Sequence, residues 1–221
     1  MKKEDIEKVM KEIIDATFVR LQNAYDCRSE SAANKKEKAP HKYKEGESRL
    51  VFPMYGEHKD NNTRVSEQEL RFAFVESFNE YCKKNQYDLF YSVETPTRDK
   101  YSGFAKGDPE IAKEGKGRSA EFDMVIYDNY LNRICLVEFK ANNADEKDHL
   151  KDFIKLNNPV EVEGRDCVLS YFIEVVKSSD KRTYNNLNNK IKKQGNANFF
   201  CYDLANGGKD ITQDIKEANE H

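Results

Sequence analysis

The sequence contains no tryptophan and is poor in cysteine, proline and glycine, with 5 cysteines, 5 prolines and 10 glycines in 221 residues. The cysteines stand singly, without a Cys-x-x-Cys pair, which argues against a zinc ribbon. Scattered thiols of this kind fit a reducing cytosol. The 4 histidines form no metal-ligand spacing either. If the protein binds a metal, carboxylates must supply the ligands.

Long apolar runs are also missing. No segment approaches the roughly 20 apolar residues that a membrane-spanning helix needs. The first 18 residues lack the apolar core of a signal peptide. We therefore expect a cytoplasmic protein that makes no membrane contact.

An excess of positive charge is the third absence, because the formal net charge is −3. Net charge thus gives no sign of a nucleic-acid partner, and any such binding must rest on local positive surface. Hydrophobic residues make up 38% and charged residues 35% of the chain, so part of its length is expected to be solvated.

Four regions are expected along the chain. Residues 1–27 form an N-terminal amphipathic helix, residues 28–47 a linker or long loop, residues 48–204 the main domain, and residues 205–221 a polar, frayed tail. Apolar residues recur at helical spacing within 4–25, namely Ile6, Met10, Ile13, Ile14, Phe18, Leu21 and Tyr25. This stripe either packs on the main domain or forms a homodimer or another protein contact.

In the main domain, the best-marked element is a helix from Ser66 to about Lys84. Ser66 and Glu69 form a capping box, and Val65 with Leu70 forms a hydrophobic staple. The other expected elements are strands at Ser48–Tyr55, Phe90–Glu94 (ending at Thr95-Pro96), Ala120–Asp128, Ile134–Ala141, Cys167–Val176 and Asn198–Leu204, helices at Asp145–Leu156 and Asp180–Lys193, and a charged loop over 97–118. This order predicts an α/β (mixed α+β) fold, with a central mixed sheet flanked by helices.

The strand Ile134–Ala141 carries the first chemical signal. It is apolar on both faces at its start, as a central strand is, but Glu138 and Lys140 appear at its end on one face. The triplet Glu-x-Lys occurs three times in the chain, and only this copy lies in an apolar strand. Charges that appear at the end of a core strand indicate a candidate site.

The preceding strand brings a second acid to the same place. A hairpin with Asn129–Asn132 as its loop pairs Tyr127 with Ile134, Val125 with Leu136 and Asp123 with Glu138. Carboxylates so close repel by about 3–4 kcal/mol at an effective dielectric near 20, and a divalent cation offsets this repulsion. In the alternative interpretation, Glu121 and Lys140 form an ordinary cross-strand ion pair and the acids face water.

A third acid, Glu67, lies in the first turn of the helix that follows Ser66. Its spacing to Leu70, Phe74, Phe78 and Tyr81 places it on the core-facing side of that helix. It is either a third carboxylate of the site or a first-turn acid favoured by the helix dipole.

These residues resemble the PD-(D/E)xK nuclease superfamily, whose members have a restriction-endonuclease-like core. The similarity covers about residues 65–176. It rests on Glu67 early in a helix, Asp123 in the second core strand, and Glu138-x-Lys140 in the third. Phe122 stands where the name-giving proline would be.

The resemblance implies a metal-dependent endonuclease in which Asp123, Glu138 and the backbone carbonyl of Phe139 hold Mg²⁺, with Mn²⁺ able to substitute. Asp123, Glu138, Lys140 and Glu67 would be the catalytic residues. Lys140 would act on the attacking water and offset phosphoryl charge, and Glu67 would be an outer ligand or serve a second metal. The partner would be nucleic acid, with DNA favoured over RNA. An endoribonuclease and a non-catalytic module for nucleic-acid or protein binding stay open.

Overall fold

The computed structural model describes residues 1–33, 48–53, 63–103, 110–113, 116–142, 146–162, 168–177, 181–192 and 194–217. Within these ranges the helices are α1 (Lys3–Ala33), α2 (Glu67–Asn85), α3 (Glu146–Leu156), α4 (Pro159–Val162), α5 (Lys181–Ile191) and α6 (Thr212–Glu217). The strands are β1 (Phe90–Ser102), β2 (Glu110–Ile111), β3 (Arg118–Tyr127), β4 (Arg133–Ala141), β5 (Leu169–Val176), β6 (Asn198–Asp203) and β7 (Lys209–Asp210).

All seven of these strands belong to one mixed sheet with the order β2-β1-β3-β4-β5-β6-β7. β1, β3 and β4 are antiparallel neighbours, whereas β4, β5 and β6 run parallel. Every residue of β5 is buried, as its continuous apolar run predicts for an inner strand. The predicted α/β fold, a mixed sheet flanked by helices, is confirmed.

Two hydrophobic clusters cover the two faces of this sheet. α1 and α2 contribute to the cluster that contains Met124 and Val137. α3, α5 and α6 contribute to the cluster that contains Val125 and Leu136. β4 contributes side chains to both clusters. Every residue of this strand is therefore buried except the first and the last.

Helix α1 is longer than the predicted segment and belongs to the main core. The apolar side chains of its stripe, such as Ile13 and Phe18, are buried in the cluster that α2 shares. The stripe therefore packs within the chain, which is one of its two expected roles, and residues 1–27 do not form a separate unit. A homodimer or another protein partner bound through residues 4–25 stays a prediction, and within that range Val19 is 59% exposed. In the described part of the chain no helix combines the length and apolarity needed to cross a membrane.

The predicted linker, 28–47, lies partly inside α1, which continues to Ala33. Residues 34–47 fall outside the described residues. The strand predicted at Ser48–Tyr55 is wrong over its described part, 48–53, which forms neither helix nor strand. That segment nevertheless contributes Phe52 to the core, where its ring meets Tyr25 edge-on at 6.0 Å.

The start of α2 matches its sequence signals. The Ser66 backbone N–H donates to Glu69 Oε2 at 2.9 Å, which is half of the predicted capping box. Val65 and Leu70, the expected staple, are both buried. These contacts fix the first turn of α2, which carries Glu67.

Strand β1 does not end at Pro96 as predicted but runs on to Ser102 through part of the predicted loop 97–118. Its pairing with β3 shifts register between Pro96 and Lys100. Proline is tolerated there because a register shift relaxes the need for a ladder donor. The buried carboxylate of Glu161 accepts the backbone N–H groups of Arg98 at 3.0 Å and Asp99 at 2.8 Å, and so anchors the irregular segment.

The C-terminal region is not the frayed tail predicted for 205–221. Over its described part, 205–217, it forms a 3-10 turn, β7 and α6. Ile211 and Ile215 are fully buried in the second cluster. Two apolar residues four positions apart lie on the same side of a helical turn. They were missed because the mean hydropathy of this segment is polar.

Candidate functional site

The hairpin of β3 and β4 positions the candidate site. Val125 pairs with Leu136, as predicted. Near the loop the register shifts, so that Tyr127 pairs with Arg133 instead of Ile134. At the other end the ladder stops at the pair Met124–Val137, immediately before Asp123 and Glu138. The two strands therefore cease to pair at the place where the acids lie.

Asp123 interrupts the side-chain alternation of β3. Phe122 packs in the same cluster as Val125, although strict alternation predicts opposite faces. On the neighbouring strand, Glu94 has a positive φ of 48°, which marks the same irregularity. The predicted pairing of Asp123 with Glu138 is therefore not part of the ladder, which ends one residue before them at Met124 and Val137.

This irregularity turns the Asp123 carboxylate toward β4 and α2. Its Oδ2 accepts the backbone N–H of Phe139 at 2.7 Å. Its Oδ1 accepts from Arg71 Nη2 of α2, also at 2.7 Å. Asp123 therefore accepts a hydrogen bond from the backbone of the residue that lies between Glu138 and Lys140.

Glu138 and Lys140, on either side of Phe139 in the sequence, lie next to α3. Glu138 is 2% exposed, and its Oε1 lies 2.5 Å from Lys155 Nζ. The Lys140 ammonium lies 2.7 Å from Asp152 Oδ2 and donates to the carbonyl of Phe139 at 3.2 Å. Among the described ion pairs, those of Lys140 are with Asp152 of α3 and Glu67 of α2, and the alternative interpretation, a cross-strand pair with Glu121, is not observed.

Glu67 reaches the same cluster from the start of α2. Its Oε1 lies 3.5 Å from Lys140 Nζ. Its side chain is 41% exposed and that of Asp123 is 19% exposed, in contrast to buried Glu138. The structure therefore brings all four predicted residues together, and solvent reaches them from the side of Glu67 and Asp123.

The electrostatics of the cluster reflect its burial. Desolvation, with Asp152 and Asp123 adding to it, raises the pKa of Glu138 well above its usual range, although Lys155 and Lys140 oppose the shift. Desolvation also raises the pKa of Glu67. Burial by itself lowers the pKa of Lys140, but the surrounding acids, Asp152 first, outweigh it and raise that pKa. The acids thus repel one another, and the lysines reduce that repulsion.

No group of three or more His, Cys, Asp or Glu residues in the described ranges is arranged to hold a metal ion. The donor types nevertheless suit a hard cation, since Asp123, Glu138 and the carbonyl of Phe139 all offer oxygen. Glu138 Oε1 is buried, and the Lys155 ammonium occupies the place next to it, at 2.5 Å. In type and charge these residues fit Mg²⁺, but their carboxylates now face lysine and arginine.

The sequence did not identify three residues of the cluster, namely Arg71, Asp152 and Lys155. Asp152 occupies the buried face of α3 together with His149, Phe153 and Leu156. A carboxylate in that stripe is a usable signal, because buried acids need a cationic partner. Lys155 lies one turn after Asp152, and Arg71 lies one turn after Glu67.

Two further residues have defined places beside the site. Glu94 lies at its rim, where Oε1 is 3.4 Å from Arg71 Nη1. His149 is fully buried and hydrogen-bonded to Glu174 at 3.0 Å. Glu174 pairs with Lys140 across β5 and β4, so the hydrogen-bonded pair of His149 and Glu174 lies next to the site.

Comparison of the chain with protein-family models, with curated proteins and with solved structures gives no match.

Proposed function

We propose that this protein is a Mg²⁺-dependent endonuclease of the PD-(D/E)xK type that hydrolyses phosphodiester bonds, with DNA as the favoured substrate. One observation carries the proposal. Asp123 accepts the N–H of Phe139, the residue between Glu138 and Lys140, so three positions of the motif meet where β3 and β4 part. Glu67, 3.5 Å from Lys140, adds the fourth.

Asp123, Glu138 and the carbonyl oxygen of Phe139 are the groups that would hold the ion. When bound, the ion supplies an activated water and offsets negative charge on the phosphate. Glu138 is buried while Asp123 and Glu67 are open to solvent, so the substrate phosphate enters from the open side.

Lys140 acts on the reacting phosphate or on the attacking water through its ammonium group. Asp152 and the Phe139 carbonyl hold that ammonium from two directions, at 2.7 and 3.2 Å. A fixed cation of this kind stabilises the charge that develops on a phosphoryl group without reorganising during the reaction. Arg71, which bridges Asp123 and Glu94, supplies a second positive group on the substrate side.

The test is a nuclease assay on DNA and RNA panels with Mg²⁺ or Mn²⁺. Asp123→Ala, Glu138→Ala and Lys140→Ala are each expected to abolish cleavage that depends on the ion. Glu121→Ala is the matched control, since that exposed side chain lies on the same strand as Asp123 and should leave activity unchanged. Cleavage that survives all three substitutions would overturn the proposal. Cleavage of RNA alone would replace DNA by RNA as the substrate.

The second candidate is a non-catalytic module on the same fold. One observation favours it, namely that Asp123 and Glu138 each face a basic partner, Arg71 and Lys155. Titration with Mn²⁺ separates the two functions. Saturable uptake at millimolar ion supports the nuclease, and no uptake supports the module.

A further inference from the structure

Lys155 is buried at the centre of the acidic cluster although it belongs to a helix outside the sheet. Its ammonium lies 2.5 Å from Glu138 Oε1, 2.9 Å from Asp152 Oδ1 and 2.8 Å from the backbone carbonyl of Glu121. These acceptors come from β4, α3 and β3. A lysine ammonium has three N–H groups, and here each has one acceptor within reach.

The charges around Lys155 do not balance. Five carboxylates, those of Glu67, Glu94, Asp123, Glu138 and Asp152, face three cationic groups, those of Arg71, Lys140 and Lys155. The difference, five minus three, leaves two negative charges. Of the three cations, Lys155 is the one in contact with Glu138, the most buried acid.

Burying a lysine in this way is costly, since the free energy of desolvating an ammonium ion is comparable to the free energy gained from its ion pairs. The same place on Glu138 is where the proposed function puts a divalent ion. Since the Lys155 ammonium lies 2.5 Å from Glu138 Oε1, a cation that binds this oxygen must displace the lysine.

We propose that Lys155 is the built-in counter-ion of the site, which occupies Glu138 when no divalent ion is bound and competes with that ion for the carboxylate. The inference rests on the proposed metal site at Glu138. Lys155 thereby holds the acids together in the ion-free protein and weakens the affinity of the site for the ion.

Removal of the lysine charge is therefore expected to strengthen ion binding. Even with the screening of bulk water, the repulsion between a unit charge and a doubly charged ion a few ångströms apart amounts to roughly tenfold in a binding constant. Lys155→Met keeps an unbranched side chain, one atom shorter than that of lysine, and removes its charge. The Kd for Mn²⁺ should fall by at least about tenfold.

The measurement is the concentration of free Mn²⁺, read from its electron paramagnetic resonance signal, at pH 8 and low salt. Wild type, Lys155→Met and Lys155→Arg are compared with Lys151→Met, a control on the same helix whose lysine pairs with Asp148 at the surface. Lys155→Arg keeps the charge, and Lys151→Met removes a charge that pairs with Asp148 instead of Glu138. Both should leave the Kd within about threefold of wild type.

Each outcome has a defined meaning. Tighter Mn²⁺ binding by Lys155→Met alone supports the counter-ion, as does uptake by that variant when wild type takes up none. If wild type binds Mn²⁺ and Lys155→Met binds it equally or less well, Lys155 is only a structural residue and the proposed function still stands. If neither protein takes up the ion, the proposed metal site fails and the counter-ion with it.

A second pair of variants covers the case in which Lys155→Met does not fold. Asp152→Asn is compared with the double variant Asp152→Asn/Lys155→Met, which carries one less buried charge of each sign than wild type. The double variant should bind Mn²⁺ at least about tenfold more tightly than Asp152→Asn. Equal affinity of these two variants would contradict the proposal.

Discussion

The Lys140 ammonium lies 2.7 Å from Asp152 Oδ2, and the other oxygen of that carboxylate lies 2.9 Å from Lys155. Asp152 therefore joins the two lysines of the site through one buried group. It is one of several groups that hold the two lysines, since Lys140 also donates to the Phe139 carbonyl and Lys155 also contacts Glu138.

We expect Asp152→Asn to lower the rate of phosphodiester cleavage by roughly 100-fold, the loss typical of a catalytic group displaced by about 1 Å. It should also lower the free energy of unfolding by roughly 3 kcal/mol, because a buried ion cluster loses one partner. Single-turnover cleavage and urea unfolding measure the two effects.

The control for Asp152→Asn is Asp148→Asn, one turn earlier on α3. Asp148 pairs with Lys151 at the surface and is 48% exposed. Its substitution should change stability by less than about 0.5 kcal/mol and leave cleavage intact. If Asp152→Asn behaves like this control, Lys140 does not depend on Asp152 for its position.

A second prediction concerns the N-terminal helix. Ile13 is fully buried and Val19 is exposed, although both lie on α1. Ile13→Asp should abolish soluble folded protein, because it places an unpaired carboxylate in the shared core. Val19→Asp should fold normally, with a change of less than about 0.5 kcal/mol.

Circular dichroism and size-exclusion chromatography with light scattering distinguish the two roles of α1. A folded Ile13→Asp monomer that derives from a wild-type dimer would show that the stripe serves a partner. Unfolding or aggregation agrees with packing inside the chain.

The third prediction concerns the C-terminal segment. Ile215 of α6 is fully buried, and the Asn188 side chain donates to its backbone carbonyl. Ile215→Ala should lower the free energy of unfolding by about 2–4 kcal/mol, as other buried isoleucines do when truncated.

Leu131→Ala is the comparison for Ile215→Ala, since Leu131 is 68% exposed. It should change the free energy of unfolding by less than about 0.5 kcal/mol in the same urea titration. Equal effects of the two substitutions would mean that α6 does not pack on the domain in solution.

The sequence predicted those parts of the protein that depend on neighbouring residues. The apolar run of β4, the buried run of β5 and the capping signals at Ser66 each report a local backbone state, and all three are confirmed. The pairing of Val125 with Leu136 followed in the same way, because a short loop leaves few registers for a hairpin. These local features located Asp123, Glu138 and Lys140.

The sequence did not predict where β1 ends. Pro96 marks the end of a strand by its local chemistry, yet β1 continues because Glu161, more than 60 residues away, accepts the N–H groups of the irregular segment. The buried face of α6 was missed for a similar reason, since its partners lie on other elements.

The partners of the site likewise depend on the tertiary structure. Residue types and spacing determined which acids and which lysine are available at the strand ends. Only the packing of α2 and α3 against the sheet decided that Arg71 faces Asp123, and that Asp152 and Lys155 enclose Lys140 and Glu138. The physical reason is that Coulomb interactions depend on distance in space, and side chains from different elements acquire that distance only when the chain has folded.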